Sequence, residues 1–251
     1  GDTVWNPGWK PVKTELDSYS CRHGMGYTII TGQKNGLTAS QLSFVPMGVN
    51  AEVHQVTLRN DSDAPKNVIL TSFVEFCLWN AQDDMTNFQR NFSTGEVEVE
   101  GSVIYHKTEY RERRNHYAFY AVNTPVDGFD TDMETFLGLY NGFENPQAVF
   151  TGKMGNSIAA AHQVKVSLAP GEERRFNFVL GYVEVPQAEK FVAPSVINKA
   201  PAKALLEKLT TDEQIADAFN ALKKHWDNLL SAYVLTTPDE KLGRMVNIWN
   251  P

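Results

Sequence analysis

One stretch near residue 70 constrains the fold more than any other part of the chain, because it is apolar on both sides. In the segment 68–79, VILTSFVEFCLW, successive side chains of an extended strand point to opposite faces. Two apolar faces result, formed by Val68, Leu70, Val74, Phe76 and Leu78 and by Ile69, Phe73, Cys77 and Trp79. A strand that is apolar on both faces needs a layer of protein on each side. The segment therefore predicts packed layers rather than a single exposed sheet.

Most of the chain before residue 186 alternates in the same way between apolar and polar residues. The segment 51–60 is a predicted strand, and the turn residues at 60–67 predict a hairpin that leads into the apolar strand. Further strands are predicted at 94–101, 102–110, 116–123, 134–140, 157–170 and 172–185. A Pro-Gly turn precedes the last of these, which is typical of a strand that enters the centre of a sheet. The spacing is that of an all-β sandwich.

The pattern changes to a helical period after Pro186. A short helix is predicted at 200–209, and Thr211 with Gln214 forms a capping box for a longer one. The apolar stripe of this longer helix is Ile215, Phe219, Leu222, Trp226, Leu229 and Tyr233. Thr237 and Glu240 repeat the start signal for a further helix. Since the sequence stops inside that pattern, and opens without an initiator methionine, we expect the chain to be part of a longer protein.

Composition excludes several classes of function. A chain of 251 residues can bury the core of one large or two modest domains. The net charge of -7 argues against binding to nucleic acid, and no apolar stretch reaches the ~18 residues of a membrane span. The two cysteines, Cys21 and Cys77, have no metal-ligand spacing. So few cysteines favour a reducing compartment, and no signal peptide is recognised, so a cytoplasmic location is predicted.

Motifs that carry chemistry by themselves are weak in this sequence. The glycines of CRHGMGYT, 21–28, lack the spacing and the following helix of a dinucleotide site. The acidic segment 127–134 lacks the glycine and distal glutamate of a calcium loop, so a solvated loop is favoured over a metal site. Asp83 and Asp84 are adjacent and would point in opposite directions, which disfavours a paired acid and base.

The polar segment that follows the apolar strand is the most informative candidate site. It carries several side chains with amide or carboxylate groups, namely Asn80, Gln82, Asp83, Asp84 and Asn87. A carboxamide offers donors and an acceptor together, which matches a sugar hydroxyl, and Trp79 and Phe88 could offer apolar faces to a pyranose ring. The same residue types also build turns, and turn chemistry explains such composition more often. The residues alone leave both interpretations open.

Three long segments identify a family resemblance. The segments 5–37, 72–120 and 242–251 closely resemble the N-terminal half of the cellobiose phosphorylases, a family of inverting glycoside phosphorylases. The resemblance implies a mainly β fold: a galactose-mutarotase-like β-sandwich, a helical linker and the start of an (α/α)6 barrel. On the sequence these parts correspond to residues 1–186, 187–235 and 236–251.

The resemblance also implies an activity for the longer protein. The family cleaves cellobiose with inorganic phosphate, a co-substrate, to give α-glucose 1-phosphate and glucose. The general acid is an aspartate of the barrel, and phosphate is the nucleophile. No catalytic residue is therefore assigned to this chain, which we expect to be inactive alone. No cofactor and no metal are predicted, and the expected partners are a second copy of the chain, the barrel and a β-linked glucose disaccharide.

Site residues follow from the same resemblance. Asn80 and Asn87 match positions that approach the active-site entrance of the neighbouring subunit, so both are predicted to contact substrate. Asp84, Gln89 and Arg90 are predicted to brace the segment or to support those contacts. Two alternatives stay open. The chain could be a free-standing carbohydrate-binding sandwich, or, by analogy of fold alone, a mutarotase-like enzyme.

Overall fold

Strands dominate the part of the chain that the computed structural model describes, which comprises residues 3–76, 82, 86, 96–107, 115–147 and 159–249. The strands are β1 (Ser18–Gly24), β2 (Tyr27–Lys34), β3 (Leu37–Phe44), β4 (Ala51–Asn60), β5 (Lys66–Glu75), β6 (Glu96–Glu100), β7 (Val103–Lys107), β8 (His116–Val122), β9 (Gly128–Asp130), β10 (Ala159–Leu168), β11 (Glu173–Glu184), β12 (Phe191–Ala193) and β13 (Val196–Ile197). The helices are α1 (Met133–Leu137), α2 (Ala200–Leu206), α3 (Asp212–Leu230) and α4 (Glu240–Arg244), with a 3-10 turn at Gln187–Glu189 and a π-helical turn at Met245–Trp249.

Two sheets form the sandwich. The larger has eight strands in the order β1-β2-β3-β4-β11-β8-β7-β6, and the smaller has three in the order β5-β10-β9. β11 pairs with β4 on one side and β8 on the other, so Phe178 faces His54 and Val122 across the ladder. A two-stranded ribbon of β12 and β13 lies within residues 187–235, the segment predicted as a helical linker and called the linker below. The predicted all-β sandwich with following helices is confirmed, and β11 occupies a central position as predicted.

The inner core lies between the two sheets. It contains apolar side chains from both layers, including Leu58, Ile104, Tyr120, Val164, Val166, Leu168, Phe176 and Phe178. The predicted inner face of β5 takes part, since Val68, Leu70 and Val74 pack against this cluster. Full burial of one such side chain contributes about 1.5–3 kcal/mol, so this interface contributes substantially to the stability of the sandwich.

A second core lies on the outer face of the large sheet. Phe44, Val53, Tyr117, Phe119 and Val179 pack there against α2 and α3. Ile215 and Leu222 of α3 are buried, and the ring of Phe219 meets Tyr27 edge to face at 4.9 Å. Since α3 covers the sheet, the helices of the linker share one hydrophobic core with the sandwich.

Gly26 illustrates how closely α3 approaches the β1–β2 turn. It has a positive φ of 77°, and a Cβ there would lie 2.9 Å from the Nε1 of Trp226. The glycine therefore provides both the turn conformation and the space for the indole.

The outer face of β5 is covered only in part, and by a helix instead of a sheet. The prediction that Ile69 is covered is wrong, since its side chain lies beyond this helix and is 58% exposed. Phe73 stacks on Phe136 of α1 at 4.9 Å and meets Phe143 edge to face. The predicted strand at 134–140 is therefore wrong. Asp132 caps the helix by accepting a hydrogen bond from the Thr135 N–H, which starts a helical turn in place of a strand.

The predicted hairpin between β4 and β5 is also wrong, because the two strands belong to different sheets. Asn60 directs the crossing. Its buried side-chain amide donates to the carbonyls of Ala64, Leu168 and Ala169, and its Oδ1 accepts from the N–H and hydroxyl of Ser62. These bonds fix a turn that carries the chain from one layer to the other.

The helix signals are confirmed in part. The capping box of Thr211 and Gln214 is present as predicted. The predicted stripe is buried only over its first part, since Leu229 is 48% exposed and Tyr233 lies beyond the helix and is 65% exposed. The cap of α4 is Asp239 rather than Thr237, because the Asp239 carboxylate accepts from the N–H groups of Lys241 and Leu242.

Replacement of Asn60 tests the crossing turn. Asn60→Ala removes the donor for three carbonyls and the acceptor for Ser62, so we expect a loss of about 3 kcal/mol in the free energy of unfolding by urea. Ser62→Ala removes only a half-exposed hydroxyl and should cost less than about 1 kcal/mol. Equal losses for the two variants would contradict the assigned role of Asn60.

Two buried histidines predict a pH dependence of stability. Burial lowers the pKa of His106 to about 4, with the charges of Lys190 and His116 adding to the effect, and burial lowers that of His162 to about 4 as well. An unfolded chain with a histidine pKa near 6.5 takes up protons first as the pH falls. Stability should therefore be constant above about pH 7 and fall between about 6.5 and 4, by up to roughly 3 kcal/mol per histidine.

The variant His162→Phe provides the control for this prediction. His162 stacks on Tyr120 at 4.9 Å, a contact that a phenyl ring can keep. Thermal unfolding measured from pH 4 to 8 should show a shallower slope for the variant. An unchanged slope would show that His162 does not titrate on unfolding in this range.

Candidate functional site

The residues predicted to contact sugar lie outside the described part of the chain. Asn80 and Asn87 belong to the connection between β5 and β6, as do Asp84, Gln89 and Arg90. The structure instead describes the strand ends from which this connection leaves and to which it returns. Those ends position the candidate site.

The strand ends gather at one end of the sandwich, which we call the loop end. Glu75 at the end of β5 pairs with residue 159, Glu96 at the start of β6 pairs with Lys107, and Lys107 pairs with Tyr117 near the start of β8. The two layers meet here, since the ring of Phe76 stacks on that of His106 at 5.0 Å and 23°. Residues 77–95, 108–114 and 148–158 therefore all connect to strands at the loop end.

An apolar strand anchors the predicted sugar-contacting segment. β5 holds its inner face in the core up to Phe76, which is only 4% exposed. On the returning side, Val97 of β6 is buried and Val99 packs against the inner core, while Glu98 on the opposite face of the strand pairs with lysines. Both attachment points are thus held by hydrophobic burial, as the apolar strand in the sequence indicated.

A charged network joins the loop end to the linker. Lys107 is 8% exposed, and its Nζ lies 3.1 Å from Glu96 and 3.2 Å from Glu98 and donates to the carbonyl of Ser195. Glu98 also accepts from Lys199 at 2.6 Å and from the N–H of Ile197. The network therefore links β6 and β7 to residues 195–199 through partly buried charges.

The electrostatics of Glu98 and Lys199 reflect this pairing. Burial alone would raise the pKa of Glu98, but hydrogen bonds from Lys199, Ile197 and Lys107 hold that pKa below its ordinary value. The hydrogen bond to Glu98 raises the pKa of Lys199, although burial opposes the effect. Both groups stay charged near neutral pH, as a structural ion pair requires.

Tyrosines complete the contact between the sheet and the linker. The hydroxyl of Tyr117 donates to the carbonyl of Asn198 at 2.7 Å, and burial raises the pKa of Tyr117 to about 12. Burial also raises the pKa of Tyr105 well above its usual range. Both phenols are neutral near physiological pH and act as packing and hydrogen-bonding groups.

Sequence reasoning missed this network, although a signal was present. Three glutamates alternate in the segment 96–100 and so share one face of a strand, and Lys107 follows on the neighbouring strand. The alternation predicts a charged face. The partners Lys199 and Lys203 come from a helical region about a hundred residues away, and no pattern in the sequence links them to it.

Two kinds of feature were not found among the described residues, a metal-binding cluster and a membrane-spanning helix. Within the described ranges, no group of three or more His, Cys, Asp or Glu side chains could hold a metal ion. In the same ranges, no helix has both the length and the apolar character to cross a bilayer. The loop end can therefore hold and orient a connecting segment.

Neutralising Glu98 tests the link between the sheet and the linker. Glu98→Gln leaves Lys107 and Lys199 without their shared partner in a region where Lys107 is 8% exposed. We expect a loss of about 2–3 kcal/mol in urea unfolding. Glu100→Gln is the matched control, since Glu100 is 48% exposed and should cost less than about 1 kcal/mol. A smaller loss for Glu98 than for Glu100 would contradict the network.

Comparisons with known proteins give the chain a family. Residues 1–212 match the supersandwich domain of glycosyl hydrolase 94. N,N'-diacetylchitobiose phosphorylase from Vibrio proteolyticus is 31% identical over 254 residues, which cover 98% of this chain and 30% of that protein. Solabiose phosphorylase from Paenibacillus borealis is 30% identical, with 98% and 31% covered. The chain thus spans about a third of the length of these relatives.

Solved structures agree on the fold. A bacterial glucoamylase complexed with acarbose aligns with a TM-score of 0.50 and 11% identity, covering 84% of this chain and 29% of that one. At this identity the likeness concerns the fold alone. The match over residues 1–212 and the phosphorylase relatives establish that the chain belongs to the glycosyl hydrolase 94 family, as its supersandwich domain.

Proposed function

We propose that this chain is the N-terminal part of a glycoside phosphorylase that acts on a β-linked disaccharide of glucose, with cellobiose as the substrate. The observation that carries the proposal is the family match over residues 1–212, together with relatives named as disaccharide phosphorylases. The choice of cellobiose rests on the resemblance of segments 5–37, 72–120 and 242–251. The relatives named for chitobiose and solabiose define the nearest competing substrates.

The proposed reaction divides the work between this chain and a catalytic barrel. Phosphate attacks the anomeric carbon of the non-reducing glucose, the glycosidic bond breaks, and a carboxylic acid of the barrel protonates the departing glucose oxygen. One displacement inverts the configuration and gives α-glucose 1-phosphate and glucose. This chain contributes sugar contacts and a dimerisation surface, and no catalytic residue. No cofactor is needed beyond phosphate as co-substrate.

Asn80 and Asn87 are the proposed sugar contacts, on the side where the leaving glucose binds. Support comes from the loop end, where both strands that flank their segment are fixed by the core and by the Lys107 network. A carboxamide can donate to one sugar hydroxyl and accept from another. Asp84, Gln89 and Arg90 are proposed to brace the segment, and a second copy of the chain is proposed to supply the sugar site.

A cytoplasmic location belongs to the same proposal. The chain has two cysteines, and Cys21 is a free thiol on the surface. An exposed thiol is compatible with a reducing compartment, where disulfides are rare. Phosphorolysis also uses inorganic phosphate and yields a sugar phosphate, both of which suit an intracellular reaction.

The experiment that tests the function uses the full-length protein that contains this chain. Purified protein is incubated with phosphate and, separately, cellobiose, N,N'-diacetylchitobiose or cellotriose, and products are identified by phosphorus and proton NMR. We expect α-glucose 1-phosphate from cellobiose, and none without phosphate. Release of free glucose without a phosphorylated product would contradict the proposal, because it would indicate hydrolysis.

Replacement of Asn87 tests the sugar contact in the same protein. Asn87→Ala should raise the KM for the glucose acceptor in the synthetic direction about tenfold, because a hydroxyl loses its partner at a cost of about 1–2 kcal/mol. The KM for α-glucose 1-phosphate should change little.

Asn228→Ala is the matched control, since Asn228 lies on an exposed face of α3. Initial-rate kinetics with both substrates varied should leave this variant unchanged. Equal effects of Asn87→Ala on both KM values would count against the assignment of Asn87 to the acceptor side.

A further inference from the structure

The small sheet covers only part of the inner face of the large sheet. Inner-face residues of β11, β8 and β7, such as Phe178, Tyr120 and Ile104, are buried in the core between the sheets. The same core also buries Leu37 and Ala39 of β3 and Leu58 of β4, but it includes no residue of β1 or β2. Toward Ser43 and His54, which are only partly buried, the inner face lies outside that core. On that uncovered part the inner face becomes polar. The polar side chains occupy one row of paired positions that runs across neighbouring strands.

Four polar side chains form this row on neighbouring strands. The register pairs His23 of β1 with Thr28 of β2, Thr28 with Ser43 of β3, and Ser43 with His54 of β4. Directly paired residues point to the same face of a sheet. We call these four residues the inner polar row. With a spacing of about 4.8 Å between strands, the row spans ~14 Å, a length that suits a short chain of pyranose rings.

Hydrogen bonds hold the row in a defined arrangement. His23 Nδ1 lies 3.0 Å from the Thr28 hydroxyl, and His54 Nδ1 lies 2.8 Å from the Ser43 hydroxyl. Gln41 Nε2, two residues from Ser43 on β3, lies 3.1 Å from the same His54 nitrogen. An amide nitrogen only donates, so His54 Nδ1 is an acceptor and its proton sits on Nε2.

The proton on His54 Nε2 points toward a carboxylate. Glu52 Oε2 lies 3.5 Å from this nitrogen, and the hydrogen bond with His54 holds the pKa of Glu52 below its ordinary value. Hydrogen bonds therefore connect four side chains in one network, namely Glu52, His54, Ser43 and Gln41. Among the described residues, the Gln41 Oε1 has no hydrogen-bond partner, which leaves it as an acceptor for a ligand.

The row is accessible and is bordered by an aromatic ring. The side chains of His54 and Glu52 are 23% and 44% exposed, and His23 is exposed. Tyr182 of β11 points to the same face, lies diagonally across from Glu52 and is 45% exposed. An exposed phenol ring beside fixed hydroxyl, imidazole and amide groups is the composition of a saccharide site.

The N-terminal segment lies on the same face of the large sheet, further along β2. A Cβ on Gly32 would lie 2.8 Å from the Cα of Pro7, so residue 7 rests directly on the inner face of β2. Trp5 packs into the inner core beside it. The inner polar row thus shares the inner face of the large sheet with the N-terminal segment, which lies over Gly32, and with β11, which neighbours β4.

The composition of the row argues for a neutral ligand. An uncovered sheet face is commonly lined by long charged side chains that keep it solvated. The row instead holds two imidazoles and two hydroxyls, each paired with a neighbour, and the adjacent carboxylate of Glu52 is already bonded to His54. A phosphate or other anion would meet Glu52 and no lysine or arginine in the row, which disfavours it.

We propose that the inner polar row binds a neutral β-linked glucose oligosaccharide, with Ser43, Gln41 and His23 contacting hydroxyls and Tyr182 packing against a ring. This surface goes beyond the proposed function, and only the choice of a β-linked glucose ligand rests on that function. It gives the supersandwich domain a saccharide contact of its own, on residues that the structure describes.

The experiment observes the histidine rings directly. Full-length protein with 15N-labelled histidine is titrated with cellotriose, and the imidazole signals are assigned from His54→Gln and His23→Gln variants. We expect the His54 and His23 signals to shift with one dissociation constant. Shifts confined to other histidines, or no shift at millimolar cellotriose, would overturn the proposal.

Two serines of β3 provide a matched pair of variants. Ser43 lies in the row, whereas Ser40 faces the opposite side of the same strand and pairs with Thr31 at 2.9 Å. Ser43→Ala should weaken cellotriose binding about tenfold, as expected for one lost hydrogen bond, and Ser40→Ala should change it less than twofold. Equal weakening by the two variants would contradict the assigned face.

The outcome is separable from that of the proposed function. Phosphorolysis by a protein whose His54 and His23 signals do not move would support the phosphorylase assignment and overturn this site. Movement of both signals in a protein without phosphorolysis would support the site and contradict the phosphorylase assignment.

Discussion

The insertion of β11 between β4 and β8 is the constraint on which the rest of the structure depends. It joins strands that lie far apart in the sequence, and its side chains pack alternately into the two hydrophobic cores on either face of the large sheet. Phe176 and Phe178 point into the sandwich, while Val179 and Val183 point toward the helices of the linker. Without β11 the large sheet would separate into two smaller sheets, and neither core would be closed.

The loop end and the inner polar row both follow from this arrangement. At the loop end, β7 carries His106 and Lys107, which hold the attachment points of the segment with the proposed sugar contacts. On the other side of β11, β4 carries His54 into the uncovered part of the inner face. The inner face of β4 is therefore apolar at Val56 and Leu58 and polar at Glu52 and His54. The position of the small sheet decides where that boundary falls.

The sequence predicted the elements better than their partners. Alternation located β4, β5, β8, β10 and β11, and the capping box at Thr211 located α3, because these signals are local. The segment 134–140 alternates as a strand does, but the cap at Asp132 and the aromatic cover of Phe73 favour a helix. The β4–β5 crossing depends on bonds from Asn60 to residues 168 and 169, which a local pattern cannot reveal. For the candidate site, the sequence indicated the anchoring strand but neither the Lys107 network nor the inner polar row, since both require the register between distant strands.

Native-state hydrogen exchange tests the central role of β11 most directly. The account predicts that the amides of Phe178 and Val179 exchange only through global unfolding, with the same free energy as the amides near Leu222 in the middle of α3. That result would show that sandwich and linker unfold as one unit around the shared strand. Exchange of the α3 amides through a much smaller opening free energy, with β11 still protected, would contradict it.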